Sequence, residues 1–391
     1  MGIKKLTELI EDNAPTSIKT NELKNYFGRI IAIDASTSLY QFLIAMNADV
    51  SSALTNQLGE TTSHLQGMFY RTIKLISRGI KPIYVFDGSA PVLKSGELAK
   101  RKARRKEAKE SLSEATEVGT AEDVQKFAKR MITVTRKQNE ECIKLLTLMG
   151  VPIVQAPCEA EAQCAELVKA GKAWATGSED MDSLTLGSTV LLRRLFFSDA
   201  KKLPILEFEL PSVLDGLGLT QDQFIDLGIL LGCDYCDSIK GIGPKRAFEL
   251  IQKHKSLEEI IKHLDKTKYP LPEFFPYPEV RELFKNPNVI PGKDVPNLVW
   301  KDPDVDGLNE FLVKEMGFSE TRVAQGIEKL KKYKNTSVQT RMDSFITVVK
   351  RPVEDKKTPV KKTKTGKPAA KSSKTSAKVS AKKAPARHPN I

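Results

Sequence analysis

The sequence predicts an α/β fold with a largely parallel central sheet and helices on both faces. Short apolar strands alternate with segments of helical periodicity, which is the pattern of β-α-β units. Three of the strands end on or just before carboxylates, at residues 29–34 (RIIAID), 82–87 (PIYVFD) and 173–182 (AWATGSEDMD). Because parallel strands end at one edge of a sheet, these acids are expected to lie together there.

The remaining elements are predicted from the same patterns. After the strand that ends at residue 34 they are, in order, helices at 36–46 and 64–77, a strand to 87, a helix to 149, a strand near 153, a helix from 159 and a strand near 174. Beyond Asp234 the chain is predicted to be mainly helical, with an irregular proline-rich patch at 269–278.

A basic segment is inserted between the strand that ends at Asp87 and the helix that begins at Glu159. Residues 94–109 (KSGELAKRKARRKEAK) contain eight Lys or Arg and two Glu. From Val124 apolar residues recur at helical spacing as far as Met149, so two helices joined by a loop near Gly119 are predicted. Such runs of charge usually form a solvent-exposed helix face. This one follows Asp87, a candidate metal ligand, by only a few residues, so we predict that it faces a nucleic-acid phosphate backbone.

Seven carboxylates lie in or next to apolar segments, where hydrophobic burial does not explain their presence. They are Asp34, Asp87, Glu159, Glu161, Asp180, Asp182 and Asp234. Gathered carboxylates repel one another unless a hard cation binds them, and oxygen ligands suit Mg²⁺ or Mn²⁺. The pattern therefore predicts metal-assisted phosphate chemistry.

Each acid also has a structural interpretation. Asp34 suits the cap of the following helix, and Asp87 with Gly88 suits an ordinary turn. Glu159 and Glu161 follow a proline and suit a helix N-terminus. The seven acids fall at five sites in the chain: Asp34, Asp87, Glu159 with Glu161, Asp180 with Asp182, and Asp234. Five structural coincidences are less plausible than one metal centre.

Composition narrows the class of protein. Of the net charge of +13, residues 350–391 contribute +12, and no aromatic residue follows Phe345. This segment is expected to be a disordered basic tail, either a nucleic-acid-binding arm with a nuclear import signal at 356–364 (KKTPVKKTK) or a merely solubilising extension. The lack of a long apolar run or a secretory signal predicts an intracellular protein, and the five cysteines are expected to be reduced structural thiols.

Two short motifs point to binding. Residues 241–247 (GIGPKRA) follow Asp234 and suit a turn whose backbone N–H groups hold a DNA phosphate, although such a turn also joins ordinary helices. Residues 339–346 (QTRMDSFI) place Met342, Phe345 and Ile346 on one face of a helical turn that could fill an apolar pocket on a partner.

These residues together resemble the eukaryotic flap endonucleases, of the structure-specific 5′ nuclease family that includes excision-repair and exonuclease-1-type enzymes. The resemblance covers roughly residues 1–349. Its motifs are MGIKKL, IAIDAS, GETTSHLQGMFYRT, YVFDG, LKSGELAKR, APCEAEAQCA, TGSEDMDSL and LLGCDYCDSIKGIGPKRA.

The resemblance implies a role for each matching residue. Lys94 and Arg101, on a helical arch, would reach the scissile phosphate, and the seven acids would hold two Mg²⁺ ions, for which Mn²⁺ can substitute. The implied DNA-contacting positions are Tyr40, Asn47, Arg71, Glu159, Gly232, Asp234, Gly241, Gly243, Lys245 and Arg246. The Gly-Ile-Gly turn would belong to a helix–two-turn–helix element that binds K⁺ and the downstream duplex.

The implied partners are branched DNA with a 5′ flap and the trimeric sliding clamp PCNA. The clamp would bind Gln339, Met342, Phe345 and Ile346 of a monomeric enzyme. Two residues depart from the family pattern. Asn47 replaces a DNA-contacting arginine, and Ile346 replaces the second aromatic of the clamp motif, so weaker clamp binding is expected.

The resemblance also implies a division of the chain and a place in the cell. The regions are an N-terminal nuclease region (1–106), an arch and linker (107–123), an internal nuclease region with the helix–two-turn–helix (124–255), a C-terminal helical wrap (256–336) and a tail (337–391). The nucleus, including nucleolus and nucleoplasm, is the expected location, and a mitochondrial pool is left open.

The predicted activity is two-metal hydrolysis at the base of 5′ flaps, with 5′–3′ exonuclease activity, in Okazaki fragment maturation and long-patch base excision repair. Three alternatives remain at this point. A mainly exonucleolytic enzyme of the same family is the nearest. A non-catalytic DNA-bound scaffold would be expected to lack one of the acids, and a metal-dependent ribonuclease would need neither the Gly-Ile-Gly turn nor the clamp motif.

Overall fold

Seven strands form one sheet whose centre is parallel. The computed structural model describes residues 2–46, 62–196 and 203–334. The strands are β1 (Ile18–Asn21), β2 (Ile30–Asp34), β3 (Lys81–Phe86), β4 (Ile153–Gln155), β5 (Ala175–Gly177), β6 (Val190–Arg193) and β7 (Ile205–Glu209). Their order is β1-β7-β6-β5-β2-β3-β4, in which β7 pairs antiparallel with both β1 and β6 and the other pairs are parallel. The predicted largely parallel sheet is confirmed.

Fifteen α-helices are present in the described part of the chain. They are α1 (Leu6–Asn13), α2 (Ala35–Met46), α3 (Ser63–Ser77), α4 (Ser95–Val118), α5 (Ala121–Met131), α6 (Arg136–Leu148), α7 (Ala160–Lys169), α8 (Asp182–Thr185), α9 (Leu210–Leu217), α10 (Gln221–Leu231), α11 (Pro244–His254), α12 (Leu257–His263), α13 (Tyr277–Lys285), α14 (Val305–Leu308) and α15 (Glu320–Lys334). A π-helical stretch, Asn309–Glu315, extends α14. Among the helices described, none has the length and apolar character to cross a bilayer.

Helices cover both faces of the sheet because the central strands are apolar on both sides. In β2, Ile31 and Ile33 pack in a cluster with α3, α6 and α15, whereas Ala32 packs in a second cluster with α7. In β3, Tyr84 follows the first pattern and Val85 the second. Side chains alternate between the faces of a strand, so a strand buried on both faces has no polar face at all.

Strand register brings the predicted acids to one edge. Asp34 is the last residue of β2 and pairs in register with Val85 of the parallel strand β3. Asp87 directly follows β3, and Asp180 follows β5, which is the other neighbour of β2. Three adjacent parallel strands therefore deliver their carboxylates to the same end of the sheet, as the sequence predicts.

The basic insertion forms two antiparallel helices, α4 and α5, joined at Gly119 as predicted. The predicted boundary between residues 106 and 107 falls inside α4, which continues unbroken to Val118. The helical spacing that runs from Val124 to Met149 is also interrupted after Met131. There Thr135 accepts the N–H of Gln138 and the Gln138 side chain accepts that of Thr135, a capping box that starts α6 as a new helix.

A buried charge network ties together the helices that follow β7. The guanidinium of Arg281 on α13 donates to both carboxylate oxygens of Asp226 on α10, at 2.7 and 2.9 Å, and to Glu258 on α12. Asp226 is 3% exposed and also accepts the N–H of Leu257 at the start of α12. One carboxylate thus joins three helices next to the loop that carries Asp234.

The five cysteines are free thiols, four of them buried, as predicted. The sulfur atoms of Cys233 and Cys236 lie 3.8 Å apart.

Replacing Arg281 by leucine is expected to lower the free energy of unfolding by about 3 kcal/mol, because Asp226 would be left buried without its charged partner. Lys314→Ala is the matched control, since Lys314 pairs with Glu310 on an exposed helix face, and it is expected to leave the stability nearly unchanged. Urea unfolding of the three proteins measures both values. Equal stabilities of Arg281→Leu and Lys314→Ala would contradict the role given to Arg281.

Candidate active site

Six of the seven predicted acids line one cavity of about 290 Å³. They are Asp34, Asp87, Glu159, Glu161, Asp180 and Asp234. Tyr40 of α2 and two cations, Lys94 and Arg101 at the start of the arch, also line it. Asp182 does not line the cavity but is buried at the start of α8, two residues after Asp180.

Two of the acids also cap helices. Asp34 accepts the N–H of Thr37 at 2.9 Å in the first turn of α2, and it accepts the hydroxyl of Ser178 at 3.2 Å. Asp87 accepts the N–H of Ala160 at 2.8 Å, at the start of α7. The capping interpretation of Asp34 is therefore correct, and it accompanies rather than replaces a place in the acidic cavity. Helix capping holds both carboxylates in fixed positions.

Burial and mutual repulsion raise the pKa of three of these acids, which favours their protonated, uncharged form. Burial, with the charges of Asp87 and Asp180, raises the pKa of Asp34 to about 7. Burial, with the charge of Asp34 and other carboxylates, raises the pKa of Glu161 well above its ordinary value, and burial does the same for Asp182. Each shift disfavours the ionised form, so a cation placed among these acids would be strongly bound.

Two cations of the arch lie directly among the acids. The Lys94 ammonium contacts Glu159 and lies 3.5 Å from Asp234. Arg101 donates to Asp234 at 2.5 Å and to Glu97 of its own helix at 3.2 Å. Burial alone would lower the pKa of Lys94, but the surrounding carboxylates outweigh burial and raise it. Both side chains are therefore charged and oriented toward the cavity.

Tyr235 is a site residue that the sequence analysis does not identify. It is 2% exposed, its hydroxyl donates to Glu159, and its ring packs edge-on against Phe284 at a centroid distance of 5.3 Å. Lys94 lies 5.9 Å from the ring centroid. Tyr235 thus holds one carboxylate oxygen of Glu159, and Lys94 contacts the other. Its place directly after Asp234 was the one available sequence signal.

The donor set fits a hard divalent cation. All seven side chains offer carboxylate oxygens, and Oδ1 of the buried Asp182 has no hydrogen-bond partner. Within the described residues, however, no three acidic, His or Cys side chains already surround a single point. Lys94 and Arg101 instead contact Glu159 and Asp234, so the two arch cations balance part of the charge that metal ions would balance.

Two predicted DNA-contacting residues lie in different surroundings. Tyr40 lines both the acidic cavity and a larger space of about 770 Å³ bounded by α4 and α5. Arg71 is instead packed between the rings of Phe42 and Phe196, at 4.8 and 5.3 Å, and burial lowers its pKa to about 10. Arg71 does not line the acidic cavity.

The Gly-Ile-Gly turn lies at the end of the loop between α10 and α11, where Gly241 and Gly243 are exposed and Ile242 is buried. Gly241 has a φ of +86°, and Gly243 precedes the first turn of α11, where Lys245 and Arg246 are exposed. Arg246 also lies over the ring of Tyr269 at 4.5 Å. Two helices therefore flank the Gly-Ile-Gly turn, and Lys245 and Arg246 place positive charge at the start of α11. The predicted roles in DNA and K⁺ binding stay predictions.

Gly232 is the buried residue that ends α10, with a φ of +103°. A side chain at this position would be strained, which explains the glycine.

Several predicted residues fall outside the described ranges. These are Asn47, the clamp motif with Gln339, Met342, Phe345 and Ile346, and the basic tail with its import signal. Their roles stay predictions.

Comparison with known proteins agrees with this geometry. The model of the XPG N-terminal domain matches residues 1–108, and that of the XPG I-region matches residues 150–234. Flap endonuclease 1 of Dictyostelium discoideum is 90% identical over 352 residues, which are 90% of this chain and 92% of that protein. Flap endonuclease 1 of Nematostella vectensis is 58% identical over 91% of this chain and 94% of that protein.

Solved structures give the same result. Flap endonuclease-1 from Methanococcus jannaschii superposes with a TM-score of 0.64 at 36% identity, covering 83% of this chain and 98% of that one. The catalytic core of Rad2 in complex with DNA substrate gives a TM-score of 0.64 at 28% identity, covering 84% of this chain and all of that one.

The raised pKa of Asp34 makes the stability of the metal-free protein pH-dependent. Its ordinary pKa is near 4 and its folded pKa is about 7, so the folded state binds an extra proton between these values. Stability contributed by that proton is present at low pH and is lost as the pH rises through about 7. With a chelator present, the native protein is expected to lose roughly 2–4 °C more in Tm than Asp34→Asn between about pH 5 and pH 8.

Asparagine retains the oxygen that accepts the Thr37 N–H, so the variant tests charge and not capping. Added Mg²⁺ is expected to raise the Tm at pH 8 more for the native protein than for the variant. Parallel Tm curves across this pH range would show that Asp34 does not titrate as described.

Proposed function

This chain belongs to the flap endonuclease family, and from that premise we propose that its acidic cavity holds two divalent metal ions and hydrolyses one phosphodiester at the base of a 5′ flap. Family membership makes it a structure-specific 5′ nuclease that acts on DNA. The observation that carries the mechanistic proposal is the convergence of six carboxylates and two arch cations in one cavity.

Mg²⁺ is the proposed cofactor, and Mn²⁺ can substitute because both ions favour oxygen ligands. The residues that would hold it are Asp34, Asp87, Glu159, Glu161, Asp180, Asp182 and Asp234. When bound, the ions lower the pKa of the attacking water and stabilise the leaving 3′ oxygen. The products are a 3′ hydroxyl and a 5′ phosphate. Carboxylates that do not touch an ion can orient the water molecules around it.

Lys94 and Arg101 are proposed to bind the scissile phosphate. Their charges are directed at Glu159 and Asp234. With those carboxylates neutralised by bound cations, Lys94 and Arg101 would be free to contact a phosphate that enters the cavity. There they would offset the negative charge that develops on the phosphate oxygens in the transition state.

The arch is proposed to select substrates by shape. The space between α4 and α5 is lined by Arg104, Arg105 and Arg130, with Phe127 and Tyr40 as aromatic surfaces. Cations suit the phosphates of a single strand and aromatic rings suit its unstacked bases, whereas a duplex presents no free bases. Flap cleavage would therefore depend on a free single-stranded 5′ end, with 5′–3′ exonuclease activity as a second outcome.

The Gly-Ile-Gly turn is proposed to hold the downstream duplex. Its exposed glycines and the positive end of α11 can face one phosphate, and Lys245 adds charge there. A K⁺ ion bound by the turn is part of this proposal. Equal DNA affinity in K⁺ and Na⁺ buffers would show that K⁺ has no part in binding the duplex.

The cellular role we propose is Okazaki fragment maturation and long-patch base excision repair in the nucleus. The support is the family membership, the basic tail and the motif at 339–346. A mitochondrial pool would require a separate localisation experiment with the tagged chain.

The central test uses Mg²⁺ and a labelled double-flap DNA. Arg101→Ala is expected to lower kcat by about 10²–10³-fold, the effect of losing one transition-state contact. Lys102→Ala is the matched control, because Lys102 is an exposed cation one position along the same helix, and it is expected to leave kcat nearly unchanged. Asp180→Ala is expected to bind the DNA without cleaving it.

Two results would contradict the mechanism. One is equal loss of kcat in Arg101→Ala and Lys102→Ala, which would show that removing any positive charge from the arch lowers kcat. The other is residual cleavage at the flap base by Asp180→Ala.

The clamp motif gives a separate prediction. Phe345→Ala is expected to weaken binding to the trimeric sliding clamp by at least about 10-fold, whereas Ile346→Phe is expected to strengthen it, because an aromatic ring buries more apolar area. Surface-immobilised clamp and the full-length proteins suffice for the measurement. Unchanged affinity of both variants would place the clamp-binding residues elsewhere.

A further inference from the structure

The N-terminal segment, residues 2–5 (GIKK), bridges two loops of the active site. Gly2, with a φ of +74°, packs against the acids that follow β5, since a β-carbon placed on it would lie 2.7 Å from Oδ1 of Asp182. Two residues later, the N–H of Lys4 donates to the carbonyl of Gly232 at 3.1 Å. The segment is therefore fixed at both ends, on one side by the acids and on the other by the loop that leads to Asp234.

The Lys4 side chain lies along Gly232. A β-carbon placed on Gly232 would lie 3.2 Å from the Lys4 ammonium nitrogen and 3.3 Å from its δ-carbon. The missing side chain at Gly232 thus leaves the space in which the Lys4 stem lies. Lys4 is itself exposed, so its ammonium reaches the surface two residues before Asp234.

Unlike Lys94, Lys100 and Arg101, Lys4 has no acidic partner among the described residues. Lys94 and Arg101 contact Glu159 and Asp234, and Lys100 contacts Asp237. Among the residues that the structure describes, no carboxylate lies within ion-pair distance of Lys4. An exposed, fixed and unpaired ammonium beside an acidic site is suited to bind an anion that approaches the site.

We propose that Lys4 binds a backbone phosphate of the substrate duplex where the DNA passes Gly232. This inference rests on the proposed function, since it assumes that DNA reaches the acidic cavity over this surface. Lys4 then positions the substrate through charge and makes no contact with the reacting atoms. Its contribution belongs to binding and not to the chemical step.

The test is the salt dependence of binding to double-flap DNA, measured by fluorescence anisotropy with Ca²⁺ or a chelator in place of Mg²⁺. Each phosphate contact contributes about 0.9 to the slope of log K against log[salt] on duplex DNA. Lys4→Gln is expected to reduce that slope by about one, and Lys4→Arg to leave it unchanged, because arginine keeps the charge. Glutamine keeps most of the stem along Gly232, so packing is retained.

Lys301→Ala provides the matched control. Lys301 is also exposed, but it lies against Gly150 at the amino ends of the strands, where the N–H of Lys301 donates to Gly150 at 2.8 Å. Its slope is expected to equal that of the native protein. An unchanged slope in Lys4→Gln, or an equal reduction in Lys301→Ala, would overturn the proposal.

Cleavage kinetics separate this inference from the proposed function. With Mg²⁺ and saturating DNA, Lys4→Gln is expected to keep the native kcat while its KM rises severalfold. A large fall in kcat would overturn the assignment of Lys4 to binding alone. Cleavage by Asp180→Ala would instead contradict the metal-dependent mechanism, whatever the slope of Lys4→Gln.

Discussion

Repulsion among carboxylates at one edge of the sheet is the interaction on which the rest of the site depends. Asp34, Asp87 and Asp180 arrive there because three adjacent parallel strands end together. Burial of Asp34, Glu161 and Asp182 raises the free energy of their ionised forms, which favours the binding of positive charge or metal ions there. Lys94 and Arg101 supply part of that charge, which links the arch to the acids.

The arch helix α4 differs along its length in its contacts. Its first turns contact Glu159 and Asp234, whereas the rest of α4 contributes few buried residues and carries cations on its exposed surface. A helix with so little apolar surface gains little from packing. The proposed metal ions and a substrate phosphate would compete for the same charges, so the proposal couples substrate binding to the contacts of the arch cations.

Hydrogen bonds and ion pairs hold the side chains around the acidic cavity in place. Helix capping fixes Asp34 and Asp87, Tyr235 fixes Glu159, and the Arg281 network fixes α10 ahead of Asp234. The N-terminal segment adds a further support between the loops after β5 and α10. Such supports matter because a carboxylate displaced by about 1 Å can lose its place in a reacting complex.

The sequence by itself determined the parallel core, the seven candidate acids and the basic arch, because apolar periodicity and carboxylates at the ends of apolar segments are local signals. It did not reveal β1, β6 and β7, which form the antiparallel side of the sheet, and β1 is mostly polar. Nor did it show the helix break at Thr135, the packing of Arg71 between two rings, or the contacts of Tyr235 and Lys4. Only tertiary structure decided these, because each depends on contacts between residues distant in sequence or on competition between packing and local propensity.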